Sequence, residues 1–429
     1  MRISLIAFGT RGDVTPIVAL AVRLRTLGYR VRLVSHGDFE PLAAQQGLEL
    51  FPTSASYQRF VASPEGRRAL GVPRSTPFGL RGLFDPFHDC ADAVYRECWD
   101  ACADADAIVC SPLASVVGTL IAYVRDLPLA VGSPIPPPGS RFMPSPVFPA
   151  WPLGQPYNRL TNKWTERLVR RGALNVFEAW YREAQRITPA MSGVLSARTV
   201  TFVAASPIVV PRQPDWPEST HVTGAWFLPK PATPAVPAHV RDFVASGPPP
   251  ICLGFGSMAD NDPDELRTLV RDAVARLKAR AIVIAGSGGA LLGFGGSDSI
   301  CEASFVDYDW LFRRASVVVH QGGAGTAACC LTAGVPQVIV PYCLDHTFWA
   351  SRFRRLGVAP RSVTRHRLTA RRLASMIRAA TENPVYRSAA EALAPKIAAE
   401  NGLDHAAQIL AAHFGQPQPA VEEFEEIEI

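Results

Sequence analysis

The sequence predicts an α/β protein built from two doubly wound domains, and three features of the chain carry that expectation. Strand-like and helix-like segments alternate from the first residues, the same alternation restarts after Pro248-Pro249-Pro250, and prolines at 229, 231, 234 and 237 lie between the two series. At 429 residues the chain also exceeds what one hydrophobic core usually supports. In the first series, residues 3–8 form a short apolar run that reads as a buried strand. Gly9 to Asp13 leads from it into a segment where Ile17, Leu20, Ala21, Leu24 and Leu27 recur at helical spacing, with Thr15 and Pro16 as N-cap and first helical position. Gly28 ends that helix, and residues 31–34, 38–46 and 48–51 follow as strand, helix and strand. A βαβαβ unit of this kind implies a parallel sheet with helices on both faces.

The second series places strands at 251–255, 281–285, 317–319 and 337–340, and helices at 263–280, 323–333 and 346–356. The expected domains are therefore residues 1–228 and 251–414, joined by a semi-rigid, proline-rich linker at 229–250. Residues 415–429 form an acidic tail expected to be disordered. Within the first domain, residues 134–157 break the alternation with Pro136, Pro137, Pro138, Phe142, Phe148, Trp151 and Tyr157. A long irregular segment in a compact domain is either functional, here the lining of an apolar site, or a packed surface loop.

Composition excludes several classes. Apolar residues make up 48% and charged residues 19%, which is ordinary for a folded globular chain. The net charge is +5 with no long basic run, so a nucleic-acid partner is not expected. Nine cysteines include no C-x-x-C pair and accompany no histidine cluster, which points to a reducing, cytoplasmic setting without structural zinc. The apolar start is too short for a secretory segment, and no eighteen apolar residues run together, so only surface association with a membrane stays open. Asp104-Ala105-Asp106 and Asp307-Tyr308-Asp309 have the spacing of a metal-binding carboxylate pair, but no metal is expected at either.

The residues richest in chemistry are His320-Gln321-Gly322-Gly323-Ala324-Gly325-Thr326, which leave a strand of valines and open a helix. Glycines there let the backbone approach an anion, and the helix N-terminus offers unpaired N–H groups and a positive dipole end to a diphosphate. His320 adds a donor and Thr326 a hydroxyl; the other reading is that the glycines simply allow close helix packing. Downstream, Asp345 and His346 follow the next strand at the same sheet edge. A carboxylate there can accept from sugar hydroxyls, or it can act only as an N-cap.

His320 to Thr326, Gly334-Val335-Pro336, Pro341, Asp345-His346, Trp349-Ala350 and Leu356-Gly357 together resemble the donor box of the family 1 glycosyltransferases of the two-Rossmann type. Gly9 to Pro16 resembles the N-terminal signature of the bacterial branch that glycosylates antibiotic aglycones and sterols, and Asp309 to Phe312 lies where the family places its base-proximal stretch. Ser206-Pro207, Asp215-Trp216-Pro217 and Thr223 to Trp226 are similar to the stretch before the linker, so the resemblance extends to about Gly357. It implies two Rossmann-like domains facing across a cleft (the GT-B architecture), with the acceptor held by the first domain and the donor by the second. It also implies an inverting, metal-independent enzyme moving a hexose or deoxyhexose from a UDP- or TDP-sugar to a hydroxyl of a small, largely apolar natural product. No cofactor beyond the donor substrate is expected, and the chain is expected as monomer or homodimer.

Carried onto this chain, the resemblance makes Asp13 the general base, with helix capping as its alternative role. Donor contacts are expected from Thr10, Arg11, Gly12, Ser257, Val306, Trp310, His320, Gly322, Gly323, Ala324, Gly325, Thr326, Asp345 and His346. Trp310 either stacks on the donor base or fills core. Acceptor contacts are expected from Phe84, Phe87, Ser133, Phe142 and Phe148. Two positions depart from the branch: Gln321 stands where a second histidine is common, and His346 where glutamine is common. In plant relatives such a histidine is associated with galactose. A sugar-nucleotide epimerase on the same fold, or a non-catalytic helper of a partner transferase, are the rival readings.

Overall fold

A computed structural model describes the chain except residues 57–58, 60–62, 64–83, 85, 188–198, 232, 261, 287 and 416–429, and the side chains of 174 and 178–187. Nearly all of the expected acidic tail therefore lies outside the described residues. The first domain is a parallel sheet of seven strands, β1 (Arg2–Ala7), β2 (Arg30–His36), β3 (Leu50–Thr53), β4 (Ala107–Cys110), β5 (Leu129–Ser133), β6 (Thr199–Val203) and β7 (Thr220–Val222), in the order 3-2-1-4-5-6-7. The second is a parallel sheet of five, β8 (Ile251–Gly254), β9 (Ala281–Ile284), β10 (Ile300–Ala303), β11 (Val317–His320) and β12 (Gln337–Ile339), in the order 10-9-8-11-12. Both are doubly wound, as the alternation predicts.

Strand order fixes where a ligand can lie. Each sheet reverses direction beside its first strand, and the crevice outside the carboxyl ends of the strands at such a reversal is the standing ligand site of open α/β sheets. In the first domain that point lies between β1 and β4, where Ile6 pairs with Cys110. In the second it lies between β8 and β11, where Gly254 pairs with His320. The glycine-bearing loop after β11 and the Gly254-Phe255-Gly256-Ser257 loop after β8 are thus side by side, though 66 positions separate those paired residues in sequence.

Helix α1 (Arg11–Thr26) begins before the expected start at Pro16. The reason is local: Thr10 is the N-cap and Asp13 its reciprocal partner, a capping box that outweighs the proline signal further in. Among the described residues, the first domain adds helices α2 (Glu40–Gln45), α3 (Ala91–Ala101), α4 (Ser115–Val124) and α5 (Gly154–Ile187). The linker is less linker-like than its prolines predict, because α6 (Ala238–Ala245) forms within it, and Val236 and Val240 are buried against Ile282 and Phe312.

The second domain adds α7 (Pro263–Leu277), α8 (Tyr308–Phe312), α9 (Ala324–Ala333), α10 (His346–Arg355), α11 (Ala370–Glu382), α12 (Pro384–Ala398) and α13 (Gly402–Phe414). The last of these does not stay with its neighbours. Ala406, Ala407 and Leu410 are buried with Ile17, Leu20 and Leu24 of α1, so α13 packs on the first domain. Burying a leucine such as Leu410 is worth roughly 1.5–3 kcal/mol, which favours the apolar seat on α1 over solvent. Arg23 pairs with Asp404 and Ser206 Oγ donates to Glu400 Oε1 at 2.6 Å, tying the two domains at the same place. Arg352 Nε, donating to the Val209 carbonyl at 2.6 Å, makes a further tie.

Candidate active site

On the first-domain side, Gly9 turns with φ +121° between β1 and α1. A Cβ there would lie 2.5 Å from Asp13 Oδ2, so only glycine leaves room for that carboxylate. Asp13 Oδ2 accepts from the Thr10 backbone N–H at 2.8 Å and from Thr10 Oγ1 at 2.9 Å. Asp13 Oδ1 accepts from no described residue and is available to a ligand. Burial pushes the Asp13 carboxyl up to about 6, the two Thr10 bonds oppose that shift, and the Asp345 carboxylate adds a smaller push in the same upward direction. Asp345 belongs to the other domain, so the cleft brings the two acids close enough to repel. Arg11 reaches across as well, its guanidinium 5.7 Å from the centre of the Phe305 ring.

His36 is a member of this site that spacing does not reveal. It ends β2 fully buried, its Nε2 accepts from the Gly9 N–H at 3.3 Å, its Nδ1 meets the Ala55 carbonyl at 3.1 Å, and its ring stacks on Phe8 at 5.1 Å. Burial lowers it to about 4, so it stays neutral and keeps the acceptor that holds Gly9.

The second-domain side is built on α9. Gly323 is its N-cap and supplies no side chain, so the first N–H groups of the helix stay open, and nothing lies within 4 Å of the Gly325 Cβ position. Thr326 and Ser257 are half-buried beside them. Gln321 is buried with its amide wedged between the two loops: a Cβ on Gly256 would lie 2.6 Å, and one on Gly323 2.9 Å, from its Nε2. Its Oε1 is buried without a hydrogen-bond partner among the described residues.

His320 differs from its expected role as a phosphate donor. Its Nδ1 accepts from the Gly322 N–H at 3.0 Å, so in the neutral ring Nε2 carries the proton and donates to Gln337 Oε1 at 2.9 Å. Both nitrogens are spent, the ring is fully buried, and burial lowers its pKa to about 4. His320 therefore acts as a neutral strut that fixes the glycine loop, with Gln337 behind it.

Asp345 and His346 stand where β12 hands over to α10. Asp345 is buried, its Oδ2 accepts from Trp349 Nε1 at 2.6 Å, and burial raises its carboxyl to about 6 against the pull of that bond. His346 Nδ1 accepts from the backbone N–H groups of Tyr342 and Cys343, each at 3.3 Å, which leaves Nε2–H as its donor. A brace with no sequence signal holds this corner. Arg365 donates to both oxygens of buried Asp260 at 2.7 and 3.1 Å, and Tyr342 donates to Asp260 at 3.2 Å. It joins the loop after β8 to the segment carrying Asp345.

The remaining expected residues are placed as follows. Thr10 and Gly12 lie in the Asp13 turn. Val306 has its side chain in the core, and Trp310 is half-buried with the Arg314 guanidinium 4.4 Å from its ring centre. Phe84 and Phe87 are fully buried around Phe177 rather than open to a ligand, because that aromatic cluster forms the core under α3 and α4. Ser133 is spent on a turn, donating to the Ile135 carbonyl and accepting its N–H, each at 2.9 Å. Phe142 is exposed and Phe148 half-buried. A cavity of about 650 Å³ lined by Arg23, Leu27, Pro207, Thr223, Glu400 and His405 shares no residue with this site.

Residues 3–78 match the family model for the glycosyltransferase family 28 N-terminal domain, and residues 269–422 that for the erythromycin biosynthesis protein CIII-like C-terminal domain. An O-mycaminosyltylonolide 6-deoxyallosyltransferase of Streptomyces fradiae is 34% identical over 435 residues, covering 96% of this chain and 97% of that protein. A sterol 3-beta-glucosyltransferase of Arabidopsis thaliana is 28% identical over 433 residues, covering 96% of this chain and 66% of the other. Among solved structures, the kitacinnamycin glycosyltransferase superposes with a TM-score of 0.70 at 20% identity, over 96% of this chain and 98% of its own. The glycosyltransferase VinC, solved with dTDP, superposes at 0.64 and 19% identity, over 96% and 99%. With a relative of this identity along almost its whole length, and the GT-B arrangement of its two sheets, the chain belongs to the family 1 glycosyltransferases and is a nucleotide-sugar-dependent glycosyltransferase.

Proposed function

We propose that the chain transfers a hexose or deoxyhexose from a UDP- or TDP-sugar to a hydroxyl of a small, largely apolar natural product, with inversion and without a metal. The observation that carries this reading is Asp13. It is a carboxylate raised to about 6, with one oxygen held by Thr10 and the other free, near enough to Asp345 of the second domain to feel its charge. Asp13 Oδ1 takes the acceptor's proton as the acceptor oxygen bonds to the anomeric carbon, and the bond from that carbon to the diphosphate breaks on the opposite face. One displacement inverts the centre.

The leaving diphosphate is stabilised by the α9 N–H groups and Ser257, fixed donors that need no reorganisation. Asp345 and the Nε2–H of His346 take the sugar hydroxyls. In each pair with metal-like spacing one carboxylate is matched by cations, Asp104 by Arg2 and Arg32 and Asp309 by Lys230 and Arg313, and the other accepts a backbone N–H, Asp106 from Arg2 and Asp307 from Trp310. Relatives named for deoxyallosyl transfer to a tylonolide and for glucosyl transfer to sterols support an apolar, hydroxyl-bearing acceptor.

The test incubates the protein with UDP- and TDP-sugars and a panel of macrolactones and sterols, with and without a chelator. Product mass reads transfer, and the anomeric coupling constant in NMR reads stereochemistry. A chelator-insensitive product of inverted configuration is expected. Retention, dependence on magnesium or manganese, or conversion of the donor with no acceptor present would each reject the proposal.

A further inference from the structure

The described residues include eleven exposed large apolar side chains, and five of them fall between positions 142 and 164. Trp151, Leu153, Leu160 and Trp164 are 58, 60, 55 and 43% exposed, and Tyr157 stacks on Trp151 with ring centres 5.7 Å apart. For Leu160 and Trp164 the cause is the amphipathicity of the first half of α5. Asn158, Thr161, Asn162, Thr165 and Leu168 face inward and are buried, and Asn162 Nδ2 donates to the Ser140 and Met143 carbonyls at 2.7 and 2.9 Å. This places polar residues inside and leaves Leu160 and Trp164 on the solvent side. Along the same outer surface, at helical spacing, run Arg159, Lys163, Arg167, Arg170 and Arg171, all exposed, against the single acid Glu166. Five bases and one acid in so short a stretch nearly equal the net charge of +5 carried by the whole chain.

We infer that the outer face of α5 and the turn before it form a docking surface for an anionic lipid bilayer. The chemistry commits to that occupant. Tryptophan rings place an apolar body and an N–H at the headgroup boundary, leucines enter the acyl edge, and long basic side chains lay their stems on apolar surface while their heads meet lipid phosphates. A helix lying in the interface needs an apolar strip bordered by bases, and this helix has both. No helix of the described residues is long and apolar enough to cross a membrane, so the contact is peripheral. The inference does not depend on the transferase reading. It does supply that reading with a route, since an apolar acceptor partitioned into a bilayer would meet the domain that binds it.

The test uses the full chain with vesicles of phosphatidylcholine alone and of phosphatidylcholine with phosphatidylglycerol. Cosedimentation with the anionic vesicles, weakening as salt is raised, and quenching of tryptophan fluorescence by brominated lipid are expected. A base near a charged surface is worth roughly fivefold in partition, so Lys163→Glu with Arg167→Glu should lower binding at least tenfold. Trp151→Ala with Trp164→Ala should abolish the bromolipid quenching while the melting temperature stays within a few degrees, because neither ring is part of the core. Equal binding to both vesicle types, no binding to either, or binding indifferent to both double variants would overturn the inference. So would a concentration-dependent dimer that the tryptophan variant disrupts without any vesicle binding, since the face would then belong to a second copy of the chain. Transfer to a water-soluble acceptor, measured in parallel without vesicles, reports on the enzyme separately from the lipid contact.

Discussion

Replacing Asp13 by asparagine separates its two roles, base and cap, because the amide keeps the size and can still accept from Thr10 but cannot take a proton. A positioned general base contributes about 10² to 10⁴ in rate, which corresponds to roughly 3 to 5 kcal/mol of barrier. The stability side has the opposite tendency. The folded carboxyl sits at about 6 against an ordinary 3.8, so ionising it in the cleft costs the folded state. That difference would amount to about 3 kcal/mol, reduced to about 1–2 kcal/mol because the group is half-buried and partly screened. With the folded value raised, that stability is fully present below pH 3.8 and lost as pH rises through about 6. The amide of the Asp13→Asn protein never bears the cost of ionisation, while a weakened cap loses about 0.5–2 kcal/mol. The variant should therefore melt close to wild type at pH 8 and compare less favourably at pH 5. Turnover should drop at least a hundredfold with donor affinity unchanged, and wild-type kcat should decline tenfold per pH unit below about 6. Measuring kcat, donor Kd and Tm together at both pH values reads all of this. An Asp13→Asn protein that melts earlier yet turns over near the wild-type rate would make the residue a cap and refute the assignment.

His320→Ala and Asp345→Asn should part in a titration calorimeter. Losing the strut frees the Gly322 N–H and strands Gln337, so UDP or TDP itself should bind more weakly, whereas the asparagine keeps the bond from Trp349 and should spare the bare diphosphate but weaken the intact sugar nucleotide. Equal losses of diphosphate affinity would reject that division. Arg365→Met leaves buried Asp260 without its cation, and breaking such a pair typically costs about 3–5 kcal/mol. Denaturant midpoints should show it, and a loss below about 1 kcal/mol would mean that Tyr342 and solvent suffice as partners.

The sequence by itself determined the fold class and part of each sheet, three of the seven strands in the first and four of the five in the second. Those follow from local rules: apolar runs too short for helices, helical spacing between them, and glycines where a strand opens a helix. The start of α1 shows the limit of such rules even locally. Thr15-Pro16 and Thr10 with Asp13 are competing start signals, and the reciprocal Thr10–Asp13 bonds prevail, which places the acid inside the first turn. What only the tertiary structure decided depends on residues distant in sequence. His320 looks like a phosphate donor until Gln337 and Gly322 take both of its nitrogens, and the Phe84 and Phe87 rings look like acceptor contacts until Phe177 closes over them. Asp260, Arg365 and His36 carry no spacing signal because their partners come from other loops. The last described helix reads as part of the second domain, yet it buries Leu410 on α1 of the first. Periodicity records which face of an element is apolar. It does not record which surface that face meets, or which distant group uses up a polar atom, and those pairings exist only once the sheets have closed.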